Sequence, residues 1–273
     1  MTVTKSGTLR VPGASLSYQM RGSGPLLLMI AGGGGAGNGF NGIANILADA
    51  YTCVLYDRRG ASHSPLDNPD EDVSIEMHSD DAYRLLAELA GEPAYVFSSS
   101  GGALIGLDLV ARHPDLVHTL IAHEPPAEYL LPASEQLQVD PMEIYRREGG
   151  LAALMALATQ SGMSYEDREP DVDLSATRAE SAANADALFK YTLPAVQRYR
   201  LDFAALLAAP TRIVLAGGSA GRDYVGYRGA TAVAKRLGTT VIEFPSHHVG
   251  YMTHPRAFAE RLREVIVGAT TGI

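Results

Sequence analysis

Ser100 ends an apolar run, Tyr95-Val96-Phe97-Ser98-Ser99-Ser100-Gly101-Gly102, that passes into a segment of helical period. The pattern Ser98-x-Ser100-x-Gly102 resembles a G-x-S-x-G nucleophile elbow, with serine where the first glycine is usual. Such a turn is so sharp that residues on either side of the serine approach one another, so small side chains are needed there. It sets the hydroxyl at a helix N-terminus, where free N–H groups and the helix dipole favour developing negative charge. A serine-rich helix cap is the bland alternative for the same residues.

A serine hydroxyl is a poor nucleophile until a base takes its proton, and an acid must orient that base. Of the eight histidines, His248 lies in Pro245-Ser246-His247-His248-Val249-Gly250-Tyr251, after the last apolar run and before the final helical segment. His247 competes with it directly and His254 more weakly. Two carboxylates qualify as the acid. Glu124 follows the run Val117–His123 and precedes Pro125-Pro126, which puts it on the same sheet edge as Ser100. Asp223 is the alternative acid, three residues beyond Gly217-Gly218-Ser219-Ala220, a turn that has no carboxylate of its own. Glu124 is the preferred of the two.

The run Ala31-Gly32-Gly33-Gly34-Gly35-Ala36-Gly37 follows an apolar strand-like segment. In a hydrolase it would bring a backbone N–H, that of Gly33, opposite the amide of Gly101 to complete an oxyanion hole. The same residues also fit a dinucleotide fingerprint, Gly32-x-Gly34-x-x-Gly37, with Asp57 as ribose ligand. That leaves an NAD(P)-dependent oxidoreductase as a reading of a different class, and a non-catalytic ligand-binding protein as a third. No G-K-[ST] follows the glycines, and no histidine–carboxylate spacing points to a metal, so neither metal nor other cofactor is expected.

These residues must be held by a scaffold, and the pattern of short apolar runs alternating with segments of helical period predicts an α/β fold with a mostly parallel sheet. Thr8–Val11 and Ala14–Met20, split by Pro12-Gly13, read as an opening hairpin. Strands are expected at Leu26–Ala31, Thr52–Asp57, Ala94–Phe97, Val117–His123, Arg212–Ala216 and Thr240–Phe244. Ile75, Ala82, Leu85, Leu86 and Leu89 share one helical face; Leu104, Leu107 and Val110 mark a second helix, and Phe258, Leu262, Val265 and Ile266 a last one. Residues 126–206 interrupt the alternation with helical patches and no clear strand. The expected organisation is a core over 1–125 and 207–273, with 126–206 as a helical cap over the strands' carboxyl ends. Tyr129, Met142, Met155, Met163 and Tyr191 in that insertion are equally candidates for a pocket wall and for packing.

With 46% hydrophobic and 19% charged residues, the chain has the composition of a globular protein. A net charge of −9 with no dense basic cluster argues against nucleic acid. The apolar stretch Leu26–Ala31 is too short to span a membrane and too late for a secretory signal, so no membrane partner and a cytoplasmic location are expected. Cys53, alone in the run Tyr51–Tyr56, reads as core filler.

Hairpin, glycine loop, the D-x-R-G-x-S-like turn Asp57-Arg58-Arg59-Gly60-Ala61-Ser62, serine elbow, insertion and late histidine together resemble the α/β-hydrolase superfamily over nearly the whole chain. Within it, Ser99-Ser100-Gly101, His123-Glu124-Pro125-Pro126 and His248-Val249-Gly250-Tyr251-Met252-Thr253-His254-Pro255 look most like the zearalenone lactonases. That resemblance implies a triad of Ser100, Glu124 and His248 and hydrolysis of an ester or lactone through an acyl-enzyme. It depends on Ser98 being tolerated for glycine, and it covers no motif in the insertion. A carboxylesterase acting on another small apolar ester fits the same residues.

Overall fold

The computed structural model describes residues 4–268. The outer ends of the expected core segments, 1–3 and 269–273, lie outside the described residues. The chain opens as an antiparallel hairpin of β1 (Thr4–Val11) and β2 (Ala14–Arg21), with Gly13 at φ 79° in the turn. The first arm starts four residues before the expected Thr8. Its outer part, Thr4 to Gly7, lacks apolar alternation and is paired to Arg21 through Tyr18 in the ladder.

β3 (Leu26–Ile30), β4 (Thr52–Tyr56), β5 (Ala94–Ser99), β6 (Val117–His123), β7 (Arg212–Gly218) and β8 (Val241–Phe244) complete one eight-stranded sheet in the order β1-β2-β4-β3-β5-β6-β7-β8. From β4 to β8 every neighbouring pair is parallel. β3 is apolar at all five positions because helices cover both faces of a parallel sheet. The two-residue period then divides it. Leu28 and Ile30 pack on one side with Val54, Val96 and Leu120, and Leu27 and Met29 on the other with Leu55, Phe97 and Ile121. Each fully buried leucine contributes about 1.5–3 kcal/mol. Cys53 is buried in the second layer, where desolvation pushes its thiol up to about 12, so it is core filler and not a reactive thiol.

Helices α1 (Asn41–Leu47), α2 (Ile75–Leu89) and α3 (Gly101–Arg112) follow β3, β4 and β5. Ser74 caps α2 by accepting from the Met77 N–H at 3.3 Å. α3 buries ten of its twelve residues, so it can only be the helix that backs the sheet centre. Between β6 and β7 the chain forms α4 (Pro141–Glu148), α5 (Gly150–Gln160), α6 (Ser175–Ala183), α7 (Ala185–Ala187), α8 (Leu193–Arg198) and α9 (Phe203–Ala208), with no strand among residues 126–206. α10 (Val225–Arg236), α11 (Gly250–Thr253) and α12 (Pro255–Val267) close the fold. None of the described helices is long and apolar enough to cross a membrane.

The strand order reverses direction at β3: the chain moves outward to β4, then returns past β3 to β5. Crossovers on opposite faces leave a crevice at the carboxyl ends of β3 and β5, the place where open α/β sheets bind ligands. Parallel register brings the strand ends level, pairing Ile30 with Ser98, Ser99 with His123, and His123 with Ala216. The residues just past those ends are the glycine loop, Ser100 and Glu124.

Candidate active site

Ser100 occupies the step from β5 to α3 with φ 55° and ψ −127°, a conformation a non-glycine residue holds only when its surroundings enforce it. Three contacts enforce it. The Ser100 N–H donates to the His123 carbonyl at 2.8 Å, and the Ser100 carbonyl accepts from the Ala103 N–H at 2.8 Å. A Cβ on Gly102 would stand 2.3 Å from the Ile30 carbonyl oxygen, so this last motif position admits only glycine.

Serine at the first motif position is accommodated from the other side. The Ser98 hydroxyl sits where a Cβ on Gly106 would lie 2.7 Å away, so the glycine missing from the strand is supplied one turn along α3. The close approach of the glycine loop belongs to Gly32, whose Cβ would meet Ser100 Cβ at 2.6 Å. Gly33 has φ 49° and open space on its Cβ side. The N–H groups of Gly33 and Gly101 meet no acceptor among the described residues.

Glu124 lies directly past β6 at φ 50°, its own N–H donating to the Ala216 carbonyl at 2.9 Å. Its carboxylate is 1% exposed and fully engaged: Oε1 accepts from the Gly218 N–H at 2.8 Å, and Oε2 lies 2.5 Å from His248 Nδ1. Burial alone would raise the Glu124 carboxyl. The His248 hydrogen bond and charge, His123 and the Gly218 N–H outweigh it, so the group is held below the usual carboxylate range and stays ionised. An ionised Oε2 fixes the proton on His248 Nδ1 and leaves Nε2 as an acceptor.

The carboxylate fits because glycines surround it. Cβ atoms on Gly221 and Gly226 would stand 3.3 Å from Oε1 and 2.7 Å from Oε2. Gly226→Ala, which would also press on His248 Nδ1 at 3.1 Å, is expected to lower kcat by about 10²-fold by displacing the pair. Its midpoint of thermal unfolding should stay near wild type, and retention of full kcat would show that the pair tolerates the added methyl.

The other sequence candidates fall elsewhere. The Asp223 side chain is 97% exposed and lies 4.0 Å from Arg228. His254 Nδ1 is 3.0 Å from the Thr253 hydroxyl. His247 is buried with neither ring nitrogen partnered. The carboxylate of Asp57, the residue the dinucleotide reading needs for ribose, is taken by the Gly37 N–H at 2.9 Å and by His63 at 3.0 Å. Asp57, His63 and Glu180 have ligand atoms within 4.8 Å of one another. Those atoms are already committed, since Glu180 accepts from Ser62 and Asn38.

His123, quoted in the Glu124 segment without a role of its own, is fully buried among Phe97, Phe244, Tyr251 and Phe258 with both nitrogens unpartnered. Burial pushes its imidazole from the ordinary 6.5 down to about 4. The unfolded chain therefore takes up this proton near 6.5, before the folded one can. Between those two values stability falls as the pH drops, and this one histidine accounts for about 1.4 kcal/mol per pH unit. The unfolding midpoint should decline across that window, and His123→Phe should flatten the decline in a differential scan. An unchanged slope would assign the acid sensitivity to His78 and His247, both also lowered by burial.

Ser100, Gly101, His248 and Gly32 to Gly35 open into one cavity of about 660 Å³. Its outer wall comes from the segments between β6 and β7. Tyr129, Met155 and Met163 line it, whereas Met142 packs in a separate apolar cluster and Tyr191 donates to the Pro69 carbonyl at 2.8 Å. Tyr165, Leu193 and Val196 are further lining residues that no motif marked, and Tyr251 and Met252, quoted with His248, line it too.

A reversal-point crevice with serine, glycine loop, buried acid and histidine on one sheet edge defines the α/β-hydrolase arrangement. The description of that family, the alpha/beta hydrolase fold, matches residues 25–168, and the chain belongs to it. Among individual proteins it is 42% identical over 271 residues, 97% of each chain, to the uncharacterized hydrolase YraK of Bacillus subtilis strain 168. Solved structures share the fold. They include an enol-lactonase from Burkholderia xenovorans LB400 (TM-score 0.69, 19% identity, 97% of this chain and 100% of that one) and a thermophilic esterase from Thermogutta terrifontis (TM-score 0.73, 17% identity, 99% and 100%).

Proposed function

We propose that the protein is a serine hydrolase that cleaves a carboxylic ester or lactone through an acyl-enzyme. The observation that carries this reading is the buried Glu124–His248 contact at 2.5 Å, opening on the same cavity as Ser100. His248 Nε2 takes the Ser100 proton as Oγ bonds to the substrate carbonyl carbon, and the N–H groups of Gly101 and Gly33 receive the oxyanion. His248 then returns the proton to the leaving alkoxide as the C–O bond breaks. Water, deprotonated by His248, attacks the acyl-enzyme, and Ser100 departs with that proton. With a lactone, the alkoxide stays attached to the acyl group, so the product is one ring-opened hydroxy acid.

Cavity size and wall chemistry support a bulky apolar substrate, since about 660 Å³ lined mainly by aliphatic and aromatic side chains suits a drug-sized ligand. A zearalenone-type macrolactone meets that description and accords with the resemblance of the Ser100, Glu124 and His248 segments. A fluorophosphonate should add once to the protein, at Ser100, by intact mass and peptide mapping. Hydrolysis of zearalenone by the same preparation, with gain of one water, is the expected outcome. Turnover of aryl esters without the macrolactone would reassign the substrate to a simpler ester, and absence of any Ser100 adduct would reject the serine mechanism.

A further inference from the structure

Arg58 is 1% exposed, and no carboxylate among the described residues pairs with it. A guanidinium taken out of water without a counter-ion is unfavourable, and desolvation lowers this one to about 10, which still leaves it charged at neutral pH. Its partners are two carbonyls of the glycine loop, a threonine and a histidine. Nη2 donates to Gly33 O at 2.9 Å, to Gly32 O at 3.4 Å and to the Thr192 hydroxyl at 3.1 Å. Nη1 lies 3.1 Å from His78 Nε2. Burial, then Arg58 and Arg59, hold His78 neutral, so that nitrogen accepts. The Arg58 N–H closes the arrangement by donating to Gly35 O at 2.9 Å.

The consequence follows from peptide geometry. In a trans peptide the C=O and the following N–H point in opposite directions. Gly32 O is held by Arg58 and also by the Gly35 N–H at 3.0 Å, so the N–H at the far end of that peptide, that of Gly33, is turned away from Arg58. Gly32 is the loop residue packed against Ser100, and Gly33 lines the cavity beside it. A glycine at φ 49° with nothing near its Cβ side has no side chain to hold it, so its orientation rests on the bonds to the carbonyls on either side: Gly32 O held by the Gly35 N–H and Arg58, and Gly33 O by Arg58 at 2.9 Å. A cation on the carbonyl side also polarises the peptide and makes its N–H a stronger donor.

The geometry points to Arg58 as the positioning residue of the oxyanion hole: it clamps the Gly32–Gly33 peptide so that the Gly33 N–H faces the substrate oxyanion. The inference rests on the serine-hydrolase reading and deepens it. Arg58 touches no reacting atom and acts through the loop.

The test compares Arg58→Met and Arg58→Lys with wild type on one aryl ester and one boronic acid, which becomes a tetrahedral anion on Ser100. Arg58→Met is expected to lower kcat by about 10²-fold with KM within about threefold, and to weaken boronic acid binding by a similar factor. Arg58→Lys is expected to recover part of both. A neutral product analogue should bind all three proteins alike, a pattern that general loosening of the fold would not give. Unchanged kcat in Arg58→Met, or a rise in KM with boronic acid affinity intact, overturns the assignment. Absence of a cooperative unfolding transition in both variants overturns it in favour of a purely structural cation. Fluorophosphonate labelling separates the two levels. If wild type carries no adduct at Ser100, the serine reading fails and this one with it. If Ser100 is labelled and Arg58→Met keeps its kcat, only the role of Arg58 fails.

Discussion

Exchange of Ser100 for alanine is expected to lower kcat for ester hydrolysis by roughly 10⁶-fold, to the residual rate that binding and the oxyanion donors sustain without a nucleophile. The fold gives little reason for any other effect. The contacts that hold residue 100 at φ 55° are made by its backbone, through His123 O and the Ala103 N–H, and by the glycines around it, and alanine keeps all of them. The unfolding midpoint should therefore move by less than about 0.5 kcal/mol equivalent, and KM should be preserved where substrate affinity can be measured. Retention of even a tenth of wild-type kcat would mean that another group attacks the carbonyl.

Glu124→Gln is expected to lower kcat by about 10⁴-fold while Asp223→Asn leaves it unchanged. Glutamine is nearly isosteric with Glu124, and its carbonyl oxygen can keep the bond from the Gly218 N–H. The amide NH₂ then faces His248 Nδ1. Two donors cannot share that contact, so the imidazole moves its proton to Nε2, the nitrogen that must accept from Ser100. The variant thus has an intact site with the wrong tautomer. Asp223 has no such leverage, since it is exposed and its nearest cation, Arg228, is 4.0 Å away. Steady-state kinetics of the two variants on one ester decide between them, and a large loss in Asp223→Asn with an active Glu124→Gln would reverse the assignment.

Much of this site was legible in the sequence because the chemistry sits at strand ends, and strand ends are where apolar periodicity stops. Ser100 and Glu124 each follow directly on a buried run, and the lack of a carboxylate in Gly217 to Ala220 favours Glu124 while leaving Asp223 open as the alternative acid. What escaped depends on pairs of residues far apart in the chain. Ser98 looked like a defect of the motif until Gly106 was seen to make room for its hydroxyl, and nothing local to either residue says so. The sequence reading places Gly33 as the loop residue brought close to Gly101, whereas the structure gives the tight packing on Ser100 to Gly32 and a positive φ with open space to Gly33. Cavity-lining residues were the least legible. Met155 and Met142 have the same apolar character on neighbouring helices, yet Met142 packs in a small cluster and Met155 stands 65% exposed at the cavity edge. Helical spacing of an apolar side chain does not record which surface it meets.

With Glu124 past β6 as the acid, and not Asp223 past β7, the machinery is also partitioned differently along the chain. On the proposed mechanism, nucleophile, Gly101 amide and acid all reside in the continuous stretch Ala94–Glu124, whose strands β5 and β6 pair directly and whose helix α3 is almost wholly buried. The site is thus a portable cassette from Ala94 to Glu124, completed by a single imported histidine and the glycine loop. On this reading the connection after β7 carries no catalytic carboxylate, yet Gly218, Gly221 and Gly226 in and around it cradle Glu124, so its freedom to vary is confined to the exposed tip at Asp223. For a protein engineer, that tip is the place to insert variation, and the cassette with its glycine cradle is the part to leave alone.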